Sequence, residues 1–200
     1  MIVFLKLLAT AFFWGGTFIA GRMIAHHVPP FSAAFLRFVV ASGILLLITR
    51  NVEGKFPLLT TGQFIKVVLL GLTGIFLYNF CFFYGLERIP AGRAALIIAT
   101  NPVFISLFAA CLLSEKIPPL KVAGILISTT GAVVVISRGH PELIFSESIG
   151  AGELFIFGCV LSWAAFSLIG KSVIRSLSPL VSITYASLSG TICLAIPALM

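Results

Sequence analysis

Residues 66–88 read KVVLLGLTGIFLYNFCFFYGLER, twenty uncharged residues held between Lys66 and the pair Glu87-Arg88. A helix needs about 20 mostly apolar residues to cross the hydrocarbon core of a bilayer, with its charges at the ends. The stretch therefore predicts a membrane span, and the rest of the chain repeats the pattern. Reading from charge to charge gives further apolar segments at 7–21, 94–114, 122–137, 154–170 and 176–200. Another, 31–49, is interrupted by Arg37 and bounded by Val28-Pro29-Pro30 and Arg50-Asn51. The expectation is an all-α, polytopic membrane helix bundle of seven transmembrane helices. Pro90, Pro118-Pro119, Pro141 and Pro179 fall at the boundaries, where helix breakers belong.

The composition agrees: 60% of residues are hydrophobic and only 10% charged. All six acids are Glu, which excludes intramembrane Asp-dyad proteases and any Asp-based proton relay. The net charge of +7 comes from basic residues scattered between apolar blocks, so they serve as topology signals and no nucleic-acid partner is expected. Alternating the seven spans puts Lys6, Arg50, Lys55, Lys66, Lys116, Lys121, Lys171 and Arg175 on one side. Arg22, Arg88, Arg93 and Arg138 fall on the other. The excess places the N-terminus in the cytoplasm, and the expected location is a plasma membrane, the inner one in a bacterium. With no Glu deeper than the span ends, the chain offers no carboxylate relay, and facilitated diffusion or exchange is the expected mode.

Cys81, Cys111, Cys159 and Cys193 sit inside apolar blocks without Cys-x-x-Cys spacing, which reads as packing. His26, His27 and His140 lie in predicted loops without metal-ligand spacing, so neither metal nor cofactor is expected. Ala9-Thr10-Ala11 mimics a signal cleavage site, but the apolar stretch before it is short and hydrophobicity continues past it, so the first segment stays as a span.

A shift of 149 positions lays Trp14 on Trp163, Gly21 on Gly170, Arg22 on Lys171 and Pro30 on Pro179, and these are the only two tryptophans. Five helices separate the copies, so the second enters the membrane from the opposite face. That is the pattern of an inverted-topology transporter repeat.

Several runs, in order, carry a family resemblance. They are Phe13-Trp14-Gly15-Gly16-Thr17-Phe18, then Leu36-Arg37-Phe38, Tyr84-Gly85-Leu86-Glu87-Arg88-Ile89-Pro90-Ala91, Asn101-Pro102-Val103-Phe104, and Ser114-Glu115-Lys116 followed by Gly124-Ile125-Leu126 through Gly131. Together they resemble the EamA-type repeat of the drug/metabolite transporter superfamily. The resemblance implies ten helices in two inverted five-helix repeats, a central substrate cavity, and export or exchange of small metabolites such as amino acids, related metabolites or amphiphilic compounds. Residues 1–140 would be the first repeat and 150–200 the start of the second. Because an inverted-repeat transporter binds substrate where its halves meet, the chain is expected to continue for about three more helices. The alternative is a natural short form that pairs as an antiparallel homodimer.

Candidate substrate-binding residues are those that are costly or unusual on a lipid face: Trp14, Thr17, Arg37, Tyr78, Asn79, Asn101, Trp163 and Ser167. Trp14, Thr17 and Gly21 share a stripe at helical spacing, and Trp163, Ser167 and Gly170 form its counterpart. Each Trp either lines a cavity or packs against protein or lipid. Gly16 and Ala20 form a small-xxx-small pair. Gly71, Gly74, Tyr78, Cys81 and Gly85 share one face, open to a partner helix at both ends of Tyr78. Tyr78 and Asn79 then face protein or water, because unsatisfied polar groups are costly in hydrocarbon.

Pro102 lacks the N–H that would donate to the Ile98 carbonyl and its ring collides with that carbonyl, predicting a kink beside the Asn101 amide, either a substrate site in a broken helix or a structural bend. Arg37 is a structural anchor pairing with Glu87 or loop carbonyls, or it lines an outer mouth for anionic groups. Glu115 is expected to pair locally with Lys116 or Lys121. No hydrolase, zinc-protease or phosphate-loop motif is present, so a small-molecule transporter is the leading function. The alternatives are an integral membrane enzyme and a non-transporting helical assembly.

Overall fold

The computed structural model describes residues 2–136 and 150–199, and every regular element among them is helical. Ser137, Arg138, His140, Pro141 and Met200, read above as span ends or loop residues, lie outside the described residues. The first rods are α1 (Ile2–Ala25) and α2 (Pro30–Glu53). The third is composite: α3 (Thr61–Leu70), a π-helical segment (Gly71–Leu77) and α4 (Tyr78–Arg88). The fourth joins α5 (Ala91–Ile98) to α6 (Asn101–Leu113). α7 (Pro119–Ile136), α8 (Ala151–Val173) and α9 (Pro179–Ala198) complete seven rods among the described residues.

The rods coincide with the seven expected segments, six of them long and apolar enough to cross a membrane among the described residues, but several overrun their charges. α1 takes in Lys6, α3 takes in Lys66, and α8 takes in Glu153 and Lys171. Charge marks the edge of the hydrocarbon, whereas backbone hydrogen bonding continues into the headgroup zone. The ends follow local chemistry. Thr60 and Gln63 form a reciprocal capping box at α3, with bonds of 3.3 and 2.9 Å. α4 stops at Ile89, held extended by Pro90 (φ −126°, ψ 155°). α6 ends on Ser114 in the left-handed region (φ 53°). Ser178 caps α9 by accepting from the Val181 N–H (3.2 Å) while its hydroxyl donates to Glu53 (2.6 Å).

Apolar burial between helices drives little in lipid, so small residues and interhelical hydroxyl bonds hold the bundle. α2 and α9 pair through Ser42 with Ser187 (2.7 Å), Ser42 with Thr191 (3.0 Å) and Thr49 with Thr184 (2.7 Å). Bonds of this kind contribute on average about 0.6 kcal/mol each. Position numbers rise along α2 as they fall along α9, so the two run antiparallel. The third rod is wedged between α8 and α9. A methyl added at Gly71 would lie 2.7 Å from the Ala186 carbonyl oxygen, and one at Gly74 or Gly85 would strike Phe166 or Ile156 of α8. The glycine face read from the sequence is therefore the helix contact.

Gly16 is not. Nothing lies within 4 Å of a Cβ placed there. α1 instead touches the bundle through Gly21, against Leu86 and Phe82, because it leans on α4 near its C-terminal end. The Arg22 guanidinium donates to the Leu86 carbonyl there.

Candidate functional site

Midway along the rods lies a cavity of about 250 Å³, walled by α1, α2, the π segment, α4, the α5–α6 break, α8 and α9. A dry cavity of roughly 150 Å³ accepts benzene, so this one has room for a ring with substituents. Its wall is largely aromatic. Tyr78 stands 5.4 Å from Trp163 and stacks at 5.9 Å on Phe82. Trp163 meets Trp14 edge to face at 5.6 Å and stacks on Phe166 at 5.1 Å. Trp14 combines the two readings left open for it: it lines the cavity, yet 56% of its surface stays exposed.

The polar groups are few. Arg37, on α2, donates from Nη1 to Asn79 Oδ1 (3.4 Å) and lies 5.5 Å from the centre of the Phe38 ring. It does not pair with Glu87, whose carboxylate is held by neighbouring Arg88 at 2.7 Å. Asn79 is buried, and its Nδ2 donates to the Ile75 carbonyl (2.7 Å). Thr17 donates its hydroxyl to the Phe13 carbonyl at 2.9 Å.

The fourth rod breaks where Pro102 predicts, with Ala99 and Thr100 forming a turn between α5 and α6. Thr100 gives both its N–H (3.1 Å) and its hydroxyl (2.6 Å) to the Ile97 carbonyl. Ile98 and Asn101 line the cavity on either side of the break. Asn101 Oδ1 is a buried acceptor with no hydrogen-bond partner, the only such side-chain atom among the described residues.

Seven of the eight predicted site residues therefore border one space: Trp14, Thr17, Arg37, Tyr78, Asn79, Asn101 and Trp163. Ser167 is not among the lining residues, and its hydroxyl bonds back to the Trp163 carbonyl (2.8 Å). The signal for the right residue was in the repeat. The gapless offset of 149 lays Thr17 on Phe166 and Phe38 on Ser187, and all four line the cavity. Phe18 and Phe82 follow Trp14 and Tyr78 by one helical turn and were legible by the same periodicity.

Away from the cavity, the loops assigned to one face meet each other. Lys66 donates to Ser172 (2.8 Å), and Lys171 pairs with Glu115. Glu115 therefore does not pair with Lys116 or Lys121. The α6 end delivers it to α8 instead, and the Lys171 hydrogen bond holds its carboxyl below the usual range. At the opposite end Arg93 pairs with Glu153 at 2.8 Å.

Among curated proteins, the chain is 29% identical over 98% of its length to an uncharacterized transporter, YyaM, of Bacillus subtilis, covering 65% of that protein. It is 30% identical over 98% of its length to an uncharacterized transporter of Archaeoglobus fulgidus, covering 66%. The aromatic amino acid exporter YddG of Ancylobacter novellus is 31% identical over 74% of this chain and 51% of its own. The chain thus spans about two thirds or less of the relatives it matches. A crystal structure shares the fold with a TM-score of 0.71 at 23% identity, over 95% of this chain and 65% of that one. The EamA-like transporter family matches residues 1–137. With that match covering more than half of the sequence, on an all-helical membrane bundle whose tryptophan pair closes over a central cavity, the chain belongs to the EamA-like transporter family.

Proposed function

We propose that the protein, in its full-length form, is a secondary transporter that moves small metabolites across the membrane through the central cavity by alternating access, as an exporter or exchanger. The observation that carries this is the composition of the cavity wall, to which Trp14 and Asn101 contribute from the first repeat and Trp163 and Phe166 from the second. A site built at the meeting of two inverted repeats can be opened to either side by rocking one against the other. Residues 1–140 then act as one repeat and 150–200 as the beginning of its inverted partner. The protein is not an enzyme in this reading.

The aromatic wall suits a solute with an apolar or aromatic body, and Arg37, Asn79 and Asn101 suit polar groups at its ends. Amino acids, related metabolites and amphiphilic compounds meet that description. The name of the Ancylobacter relative, an aromatic amino acid exporter, supports it. The protein works in the bacterial inner membrane with a cytoplasmic N-terminus, following the excess of Lys and Arg on that face. A flux screen across metabolite classes, with the full-length protein in liposomes, tests the proposal. Saturable flux of amino acids or amphiphilic aromatic solutes is expected, and the absence of flux for every class overturns it.

A further inference from the structure

The third rod changes its hydrogen-bond register beside the cavity. The segment Gly71–Leu77 is π-helical, its turns closed by backbone hydrogen bonds that span five residues instead of four. At the return to α geometry the Tyr78 N–H is shared between the Ile75 and Thr73 carbonyls. The Ile75 carbonyl also receives the Asn79 side chain, Nδ2 to O at 2.7 Å. The other end of that carboxamide, Oδ1, faces α2 and accepts from Arg37 Nη1 at 3.4 Å. The assignment of the amide is fixed by chemistry, since a carbonyl can only accept and a guanidinium can only donate.

The anchor of this relay is tightly packed. A methyl added at Gly190 of α9 would lie 2.5 Å from Ile75 Cβ. Asn79 itself is 2% exposed. Arg37, by contrast, is exposed and borders the cavity. Among the described residues Asn79 is its only hydrogen-bond partner, and a guanidinium carries five donors in a planar fork. That leaves a forked face able to take a carboxylate by two parallel hydrogen bonds.

We propose that Asn79 is the positioning residue for Arg37, holding its guanidinium against the cavity so that the site prefers solutes bearing a carboxylate beside an apolar or aromatic body. This rests on the cavity being the solute site. Asn79 acts through Arg37 and not by its own contact with the carboxylate.

The test uses two probes of one shape, 3-phenylpropionate and its neutral amide. Each is titrated against the full-length protein and read by tryptophan fluorescence, since Trp14 and Trp163 both line the cavity. The readout is the ratio of the two dissociation constants, in which any loss common to both probes cancels. The unmodified protein is expected to favour the carboxylate by about tenfold. Asn79→Ser keeps a hydroxyl able to bond the carbonyl four residues back but is too short for Arg37, and it is expected to bring the ratio near one. In an Arg37→Gln background the same change is expected to add nothing, the signature of action through Arg37. Asn79→Asp supplies a second arm, in which a carboxylate neutralises the guanidinium and turns the ratio towards the amide.

An unchanged ratio in Asn79→Ser or Asn79→Asp, alongside a reduced one in Arg37→Gln, overturns the proposal and leaves the cavity as the solute site. Equal binding of both probes by the unmodified protein does the same. No saturable response to either probe overturns the proposal, and the transport reading falls with it only if the flux screen also finds no solute class carried.

Discussion

The indoles of Trp14 and Trp163, 149 positions apart in the chain, meet edge to face with ring centres 5.6 Å apart and planes at 89°. Ser42 and Thr191 stand at the same separation in sequence and share a hydrogen bond of 3.0 Å. Residues touch their own repeat equivalents only along an axis of symmetry. Two such contacts, with α2 and α9 antiparallel, are what the proposed pair of inverted repeats requires along its pseudo-two-fold axis.

The Ser42 and Thr191 side chains are therefore close enough to be joined. Substituting both with cysteine (S42C with T191C) is expected to give a cross-link on mild oxidation in intact membranes, seen as a reducible mobility shift. Absence of the cross-link in the double variant contradicts the α2–α9 pairing.

Glycine substitutions separate real helix contacts from apparent ones. Gly71→Ala drives a methyl against the Ala186 carbonyl and the Gly190 N–H, both 2.7 Å away, where backbone cannot yield. It is expected to cost about 1–3 kcal/mol, read as a lowered melting temperature in detergent. Gly16→Ala meets nothing within 4 Å and is expected to leave the melting temperature unchanged or slightly raised.

The Glu115–Lys171 pair gives a defined acid response. Glu115 is held below its ordinary range chiefly by the Lys171 hydrogen bond. Its contribution is thus present above the usual carboxylate value of about 4.3 and disappears as pH falls through the lower folded value. Glu115→Gln is expected to lower thermal stability above about pH 4.3 and to converge with the unmodified protein only as pH falls below the lower folded value. Divergence that persists in acid contradicts the pairing.

Much of this was legible because the membrane restricts the choices. Uninterrupted apolar runs can only be helices there, so the seven rods follow from charge positions. The scarcity of tryptophan singled out the Trp14–Trp163 pair, which meets in the structure, and the polar residues inside spans led to the cavity. Ser167 lies off the cavity wall because the stripe was drawn from polarity, whereas the strict offset carries Thr17 onto the apolar Phe166. The Lys171 partner of Glu115 was beyond local reading, since 56 positions separate them and only the packing of the bundle brings them together. The π segment has no simple sequence mark. Gly71 and Gly74 signalled close approach, not a change of register.

Sidedness is testable on its own. With the N-terminus cytoplasmic, Lys55→Cys and Lys116→Cys are expected to resist an impermeant maleimide added to intact cells, while Arg88→Cys reacts. Labelling of Lys55→Cys from outside inverts the proposed orientation.

In the proposed function, solute passes through the cavity where the two tryptophans meet. Uptake of radiolabelled phenylalanine into liposomes holding the full-length protein, compared with Trp163→Ala, tests it most directly. Saturable flux above empty liposomes is expected, accelerated by unlabelled phenylalanine on the far side, with a fall of about tenfold or more in Trp163→Ala from the lost aromatic contacts. Equal flux from a correctly folded Trp163→Ala protein, or none above background from the unmodified one, contradicts it.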